Sequence, residues 1–397
     1  MERFPHDARP LGSALKTDFV GLEGLVHLAA GGETPLLERH RDVFDRYARL
    51  KGQGKRGLAE IENGADRARG QVARLLGGAS EDVGFSYNVS QANNMVARAV
   101  RATGPGNVVI PQWEYPSMIY PWMRVADPAF GVRLLRSSNN RLNYESLADL
   151  VDDDTKAIVV SHVSYLTGER VDLARLRAIA DRAGAMLVVD ASHSLGVVQS
   201  DWSLADFVFS CCYKWLLGCH GVSIAWRNPH RLPEWMPVEV GWANVEWHDA
   251  AERGESLVPL ATGRMFELGI PGLLAASILG EALEYLAQFS GAEVEKYVLR
   301  LSGDLMRGLA ELGLSLMTPL DDAQRAGNVA FPVPDQEQWR QYLEDADILC
   351  WTSDQRVRLS TFIYNDDTDV ARALDVIARA VARWGVESAG RSAGVTT

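Results

Sequence analysis

The stretch DFVFSCCYKWLLGCHG, from Asp206 to Gly221, decides the fold, because a short apolar strand leads directly into a lysine set between aromatic residues. The chain has six lysines, and Lys214 is the one that follows such a strand. Upstream, LVVDASHS (Leu187 to Ser194) is a second apolar strand, and it ends in the carboxylate of Asp190. In open α/β sheets ligands bind at the carboxyl ends of the strands, so both side chains are candidates for one site.

A lysine and a strand-end carboxylate in this order are the groups that pyridoxal phosphate chemistry needs. The lysine amine forms a Schiff base, and burial depresses its pKa so that it can later act as a base. The carboxylate of Asp190 pairs with the pyridinium nitrogen and keeps the ring an electron sink. We therefore predict that Lys214 is catalytic and that pyridoxal 5′-phosphate is the cofactor.

The order of apolar segments predicts an α/β protein with two domains. From about residue 57, short apolar strands alternate with helix-period segments, which predicts a mostly parallel sheet covered by helices on both faces. Near Gly269 the pattern changes to two long amphipathic helices, about 273–289 and 293–313, followed by further strands and a final helix. We predict a large cofactor-binding domain over residues 21–265 and a small α+β domain formed by residues 1–20 and 266–397, with a disordered tail from about residue 387.

Composition and charge exclude several classes of protein. The net charge of −12, without a Lys/Arg run, argues against nucleic acid as a partner. No stretch approaches the ~20 apolar residues of a membrane span, and the N-terminal MERFPHDARPLG lacks the apolar core of a signal peptide. We expect a cytoplasmic protein without a membrane partner. The four cysteines have neither a disulfide framework nor histidines at zinc spacing, so no metal site is predicted.

Further blocks give the chain a family resemblance. They are FSYNVSQANN (Phe85 to Asn94), IPQWEYPSMIYPW (Ile110 to Trp122) and RVRLSTFIYN (Arg356 to Asn365). Together with the strand-end blocks, over roughly Leu22 to Trp384, they make the chain similar to the class V, fold-type I pyridoxal-phosphate enzymes, which include cysteine desulfurases, kynureninases and isopenicillin N epimerase-like proteins. The resemblance is strongest to the isopenicillin N epimerase-like branch. It implies a seven-stranded type of sheet, a small C-terminal domain, and a homodimer with both active sites at the subunit interface.

The resemblance also implies roles for residues around the cofactor. Asn88, Val89 and Ser90 begin a helix, where free N–H groups and the positive dipole end favour a phosphate. The family has a glycine, a small residue and a threonine there, so the backbone donors and the Ser90 hydroxyl are what this chain keeps. Tyr115 matches a residue that stacks on the pyridine ring, and His193 matches one that contacts the cofactor O3′. The predicted cofactor-binding residues are Asn88, Val89, Ser90, Tyr115, Asp190, His193, Tyr213 and Lys214.

On the substrate side, Arg358 matches the family arginine that binds the substrate α-carboxylate. A guanidinium offers two parallel donors to a carboxylate, and Arg356, on the same face of the strand, is expected to support or replace it. The segment VHLAAGGETP (Val26 to Pro35) matches a loop that lines the substrate pocket, and Tyr165 stands where desulfurases often have asparagine. The predicted substrate-binding residues are Ala30, Gly31, Tyr165 and Arg358.

Three positions bear on how the chain departs from its relatives. In FELGIPGLL (Phe266 to Leu274), Ile270 stands where the family has a threonine that reaches the cofactor phosphate of the partner subunit. We interpret Cys350 as a core residue and not a desulfurase nucleophile, because it lies in the apolar run ILCW only eight residues before Arg358. His162 is interpreted as a buried structural histidine.

These observations predict an enzyme that acts on an amino acid or an S-conjugated cysteine. A C–S β-lyase is the preferred reaction, in a setting of secondary metabolism. Aminotransferase, epimerase and decarboxylation-coupled deaminase activities stay open, because each starts from the same Cα chemistry. The non-enzymatic alternative is a degenerate cofactor-binding scaffold.

Overall fold

The computed structural model describes residues 10–249 and 252–385, so the predicted tail from about residue 387 lies outside the described residues. Within those ranges the helices are α1 (His40–Lys51), α2 (Gly54–Leu76), α3 (Val89–Ala102), α4 (Pro116–Val125), α5 (Tyr144–Leu150), α6 (Leu173–Ala183), α7 (Leu273–Leu286), α8 (Gly291–Glu311), α9 (Gln336–Glu344) and α10 (Asp367–Trp384). The strands are β1 (Val26–His27), β2 (Val83–Ser86), β3 (Gly106–Pro111), β4 (Phe130–Leu135), β5 (Thr155–Ser161), β6 (Met186–Asp190), β7 (Phe207–Cys211), β8 (Ser223–Arg227), β9 (Asn328–Pro332), β10 (Ile348–Leu349), β11 (Trp351–Ser353) and β12 (Arg356–Ser360).

A central sheet of seven strands among the described residues runs in the order β2-β8-β7-β6-β5-β3-β4. The five strands β7, β6, β5, β3 and β4 are parallel to one another. Strand β8 runs antiparallel to both of its neighbours, β7 and β2. The predicted α/β architecture with a mostly parallel sheet is therefore confirmed. The direction of β2 and β8 was not predicted, because a buried apolar strand has the same composition in either direction.

Helices cover both faces of this sheet, and the alternation of side chains along β6 shows it. Leu187 and Val189 pack in a cluster with residues of α2, α6 and α7, whereas Val188 packs in a cluster with α3 and α4. Since side chains alternate along a strand, Asp190 lies on the same face as Val188. The strand therefore directs its terminal carboxylate toward the side of the sheet that carries α3.

The C-terminal part of the chain builds a second, smaller layer. Strands β11, β12 and β9 form an antiparallel sheet, and β1 pairs with β10. Their apolar side chains share one cluster with α8, α9 and α10. The predicted domain boundaries stay a prediction, and β1 adds Val26 and His27 to the contacts of this layer.

Some elements were not predicted from the sequence. Helix α4 contains Pro121, which by itself disfavours a helix, but Pro116 at its first turn is well placed and Met118 and Trp122 are fully buried. Helices α1 and α5 and strand β4 were also not predicted. The apolar run ILCW is not one strand, because Cys350 separates β10 from β11. None of the described helices has the length and apolar character of a membrane span.

Candidate active site

The loops that follow the parallel strands meet around one cavity of about 340 Å³. Tyr115 follows β3, Ser161 ends β5, Asp190 ends β6, and Lys214 follows β7. The predicted residues Asn88, Val89, Ser90, His193, Tyr213 and Tyr165 line the same cavity. Residues from widely separated blocks of the sequence are thus brought together by the order of the strands.

Asp190 is a buried carboxylate in the wall of this cavity, with 6% of its surface exposed. Its Oδ1 accepts a hydrogen bond from the Ser192 N–H at 2.8 Å. Burial raises the pKa of Asp190, and the hydrogen bonds from Ser192 and the Lys214 charge offset part of this rise. A buried carboxylate needs a donor or a cation to offset its lost hydration. This environment fits a protonated pyridine nitrogen directed at Asp190.

A chain of hydrogen bonds joins Lys214 to the small layer. Its Nζ lies 3.1 Å from His193 Nε2, and Asn328 Nδ2 donates to His193 Nδ1 at 3.0 Å. An amide nitrogen only donates, so His193 Nδ1 is the acceptor in this contact. Burial, followed by the charge of Lys214, lowers the pKa of His193 well below its usual value. Sequence reasoning found His193 but missed Asn328, which opens β9.

Glu114 is a second buried carboxyl group that sequence reasoning missed. It accepts a hydrogen bond from the Ser161 N–H at 2.7 Å and a short one from the Ser161 hydroxyl. Burial raises its pKa to about 7, and the charge of Asp190 contributes in the same direction. Through its two hydrogen bonds to Ser161, the Glu114 carboxyl group holds the end of β5 in place at the cavity. A signal was available, because Glu114 directly precedes Tyr115 in the quoted block.

The start of α3 offers a site for a phosphate. Asn88 caps the helix through its side chain, which accepts from the Gln91 N–H at 2.9 Å. The Ser90 hydroxyl lies 2.7 Å from that of Ser117 at the start of α4. The first N–H groups of a helix have no partner within the helix and favour an anion. The predicted Asn88–Ser90 segment therefore lies where the cavity can take a phosphate.

Aromatic rings border the mouth of the cavity. The Tyr115 ring, 45% exposed, lies edge-on to Tyr165 with centroids 5.1 Å apart, and Lys214 Nζ is 5.8 Å from its centroid. Tyr213 stacks on His220 at 4.1 Å. Tyr115 is accessible from the cavity and is close enough to Lys214 to contact a ring bound there.

Of the predicted substrate residues, Gly31, Tyr165 and Arg358 meet at one face of β12, whereas Ala30 packs in an apolar cluster. Tyr165 lines the cavity, but Ala30, Gly31 and Arg358 do not. Arg356 Nη2 and Arg358 Nη1 both donate to the Tyr165 carbonyl oxygen, each at 2.8 Å. A Cβ on Gly31 would lie 2.8 Å from Ser360 Oγ and 3.2 Å from Arg358 Nε. The loop approaches the strand this closely because Gly31 has no side chain.

Two further positions lie away from this cavity. Cys350 packs against the apolar cluster of the small layer, and burial raises the pKa of its thiol to about 12. Ile270 is 49% exposed and borders a separate cavity together with Trp242 and Trp247. Of the four cysteines, Cys211 lines the main cavity, and burial raises the pKa of its thiol too. These thiols are therefore protonated at neutral pH.

A buried strand-end carboxylate, a lysine and an open helix start around one cavity are what an α/β enzyme with a phosphorylated pyridine cofactor requires. The family model described as aminotransferase class-V matches residues 35–372, and the chain belongs to this family. The protein is a pyridoxal-phosphate-dependent enzyme of that family.

Individual relatives agree with this assignment. The chain is 26% identical over 382 residues to the uncharacterized aminotransferase YcbU of Bacillus subtilis, covering 95% of this chain and 98% of the relative. It is 26% identical over 339 residues to isopenicillin N epimerase of Streptomyces clavuligerus, covering 78% and 83%. The fold superposes on an apo cysteine desulfurase from Thermococcus onnurineus with a TM-score of 0.84 and 20% identity, covering 95% and 99% of the two chains. The roles assigned to single residues stay predictions.

Proposed function

We propose that this protein is a C–S β-lyase that cleaves S-substituted cysteines. In the overall reaction, one S-substituted cysteine and one water give a thiol, pyruvate and ammonia. The Cα–H and Cβ–S bonds break, and the electron pair from Cα–H forms the new carbon–carbon double bond before hydrolysis. Pyridoxal phosphate, when bound, supplies the electron sink that makes the Cα proton removable.

The observation that carries this choice is the position of Cys350. A desulfurase accepts sulfur on a cysteine thiolate, and the thiolate is the nucleophilic form. Cys350 packs in the small layer, and the raised pKa of about 12 keeps it a thiol at neutral pH. This supports release of sulfur as a thiol and not its transfer to the enzyme.

Residues of the cavity, together with the buried Arg358, supply the remaining steps. Lys214 Nζ takes the proton from the substrate Cα, and Arg358 holds the α-carboxylate, which orients the Cα–H bond. Asp190 would hold the pyridine nitrogen of the bound cofactor protonated. His193 Nε2, 3.1 Å from Lys214 Nζ, orients the amine.

The test is a panel of S-substituted cysteines with pyruvate, ammonia and thiol as readouts. We expect Cys350→Ser to keep the wild-type rate per folded molecule. Arg358→Ala should raise KM by about 10- to 100-fold, because a lost charge-assisted hydrogen bond costs about 1.5 to 3 kcal/mol. If Cys350→Ser abolishes sulfur release while Arg358→Ala changes nothing, the protein is a desulfurase and the lyase proposal is wrong.

Transamination is the second candidate, and the 95% coverage by a relative named as an aminotransferase favours it over epimerisation and decarboxylation-coupled deamination. Transamination and β-elimination differ in the fate of the nitrogen, because a transaminase passes it to a 2-oxo acid instead of releasing ammonia. Adding a panel of 2-oxo acids and measuring new amino acids separates them. Chiral analysis of the recovered substrate detects epimerisation, and release of carbon dioxide detects decarboxylation-coupled deamination. Absence of every product indicates a scaffold without turnover.

We also propose that the protein is a homodimer, as the family resemblance implies. Ile270, Trp242 and Trp247 are 49%, 57% and 66% exposed, and they border one cavity, so they form an apolar surface that a second copy would cover. The cytoplasmic location and the setting in secondary metabolism stay predictions.

A further inference from the structure

Strand β12 carries two arginines on the face directed away from the apolar core of the small layer. Val357 and Leu359 pack in that core, so Arg356, Arg358 and Ser360 occupy the opposite face. Arg356 is fully buried at 0% exposure, and Arg358 is 2% exposed. The α-carboxylate of an amino-acid substrate needs one guanidinium, so the second arginine has a role that this carboxylate does not explain.

Among the described residues around the pair, two guanidinium groups share one acidic partner, and that partner is distant. The carboxylate of Asp354 lies 3.9 Å from Arg356 Nη2, beyond hydrogen-bond distance, and its side chain is 48% exposed. Buried atoms Nε and Nη1 of Arg356 and Nε of Arg358 make no hydrogen bond within the part of the chain that the structure describes. Buried charges are normally paired, so two adjacent guanidinium groups with unused donors favour an anion.

The pair lies directly behind the wall of the cavity. Both arginines donate to the Tyr165 carbonyl oxygen, and the Arg356 guanidinium lies 5.3 Å from the Tyr165 ring centroid. The Tyr165 ring lines the cavity and contacts Tyr115, which is next to Lys214. The charges of both arginines also contribute to the lowered pKa of His193. Neither arginine lines the cavity itself, so an acidic group reaches the two guanidinium groups from the cavity only when Tyr165 moves aside.

We propose that Arg356 and Arg358 form a paired anion site and that the substrate carries a second acidic group. Arg358 binds the α-carboxylate, and Arg356 binds a carboxylate or sulfonate on the side chain or the S-substituent. The two donor nitrogens each lie 2.8 Å from the same oxygen, so they are close together and the two acidic groups are separated by a few bonds. This inference rests on the proposed function, and it narrows the substrate class to short acidic amino acids or cysteine conjugates.

The test measures binding of glutarate and pentanoate to the holoenzyme by calorimetry. Both have five carbons and no amine, so they differ in one carboxylate and undergo no reaction at Lys214. We expect glutarate to bind about 10- to 100-fold more tightly, the range for a charge-assisted hydrogen bond. Arg356→Gln should remove this preference and leave pentanoate binding unchanged, whereas Arg358→Gln should weaken both. Arg379→Gln removes an exposed charge of α10 and should change neither.

Equal binding of the two acids by the wild type overturns the inference, and this comparison does not depend on a variant that folds. A glutarate preference that persists in Arg356→Gln overturns it as well, and Arg356→Lys, which keeps a positive charge, should retain part of the preference. If no S-substituted cysteine is cleaved while the Arg356-dependent preference holds, the lyase proposal fails and the anion site stands. If neutral and acidic conjugates are cleaved equally well without a glutarate preference, the lyase proposal stands and the anion site fails.

Discussion

Lys214 is held from both sides at the cavity wall. The Thr34 hydroxyl donates to its carbonyl oxygen at 2.7 Å, and its Nζ lies 3.1 Å from His193 Nε2. The side chain is therefore positioned by groups from two distant segments of the chain. A lysine so positioned is ready to bond to an aldehyde in the cavity, which is the basis of its predicted role.

Lys214→Ala is expected to remove the visible absorbance of the bound cofactor, because the covalent bond to the amine is lost. Turnover should disappear with it. Lys296→Ala, at an exposed position of α8, is the matched control and should keep both. Absorbance spectra of the two purified variants check this, and a Lys214→Ala protein with the wild-type band would exclude Lys214 as the attachment point.

Glu114 gives the fold a pH dependence. Burial raises its pKa from 4.5 to about 7, so the folded protein favours the protonated form. Its contribution to stability is fully present below pH 4.5 and is lost as the pH rises to about 7. The shift corresponds to about 3 kcal/mol in the free energy of unfolding.

Glu114→Gln keeps the shape of the side chain and removes the titration. The difference in unfolding free energy between wild type and variant should therefore change by about 3 kcal/mol between pH 4.5 and 7.5, in favour of the variant at the higher pH. Denaturant titrations at both pH values and one protein concentration measure it. Glu311→Gln, at an exposed position, should show no such change, and a pH-independent difference for Glu114→Gln would contradict the buried-carboxyl interpretation.

At the scale of elements, the substrate side depends on how closely the loop after β1 approaches β12. Ala30 is fully buried, and a Cβ on Gly31 would lie 2.8 Å from Ser360 Oγ. Ala30 and Ser360 both belong to packed structure, so the loop has to move when a side chain is added at Gly31. The loop and the strand are thus one unit in binding, although they come from opposite ends of the chain.

Gly31→Ala is expected to cost about 1 to 3 kcal/mol of stability and to weaken pentanoate binding, because the loop is displaced from Arg358. The new Cβ would also meet Asn328 Oδ1, so the chain from Asn328 through His193 to Lys214 should shift and the cofactor absorbance is a second readout. Gly131→Ala is the control, because its Cβ would meet only Asn107 Cβ, at 3.9 Å. Calorimetry measures the pentanoate affinity of both variants, and thermal denaturation measures their stability. An unchanged pentanoate affinity in Gly31→Ala would mean that the loop does not shape the site.

At the scale of the whole molecule, large apolar side chains remain exposed at two cavities. Trp242 and Trp247 contact each other edge-on with centroids 6.4 Å apart, and Ile270 borders the same cavity. Tyr87, 68% exposed, lines the main cavity. Exposed apolar side chains at both cavities fit the proposed dimer, in which a second copy covers both regions.

Ile270→Glu should convert the dimer to monomers, because a charge would be buried without a partner in the interface. Loss of cofactor should follow if the interface completes the phosphate site. Leu320→Glu places the same charge at an apolar residue that is 76% exposed on the small layer, and it should stay dimeric. Light scattering with absorbance detection measures the oligomeric state and the bound cofactor together. A wild-type protein that is monomeric and fully active at low concentration would refute the dimer.

The sequence by itself determined the features that have a local pattern. Apolar runs separated by helix-period segments predict the α/β sheet, and Asp190 and Lys214 each directly follow such a run. Arg358 was predicted as a substrate residue because its block resembles one of the family. Each of these features depends on residues within a few positions along the chain, so the sequence alone contains it.

Only the tertiary structure decided how these pieces meet. Asn328 and His193 are 135 residues apart, and Glu114 and Ser161 are 47 apart, so no periodicity links them. The antiparallel direction of β8 and the burial of Arg356 behind Tyr165 depend on which strands are neighbours. The order of the strands in the sheet is set by helices packing on both of its faces. The pattern along a single segment therefore does not predict that order.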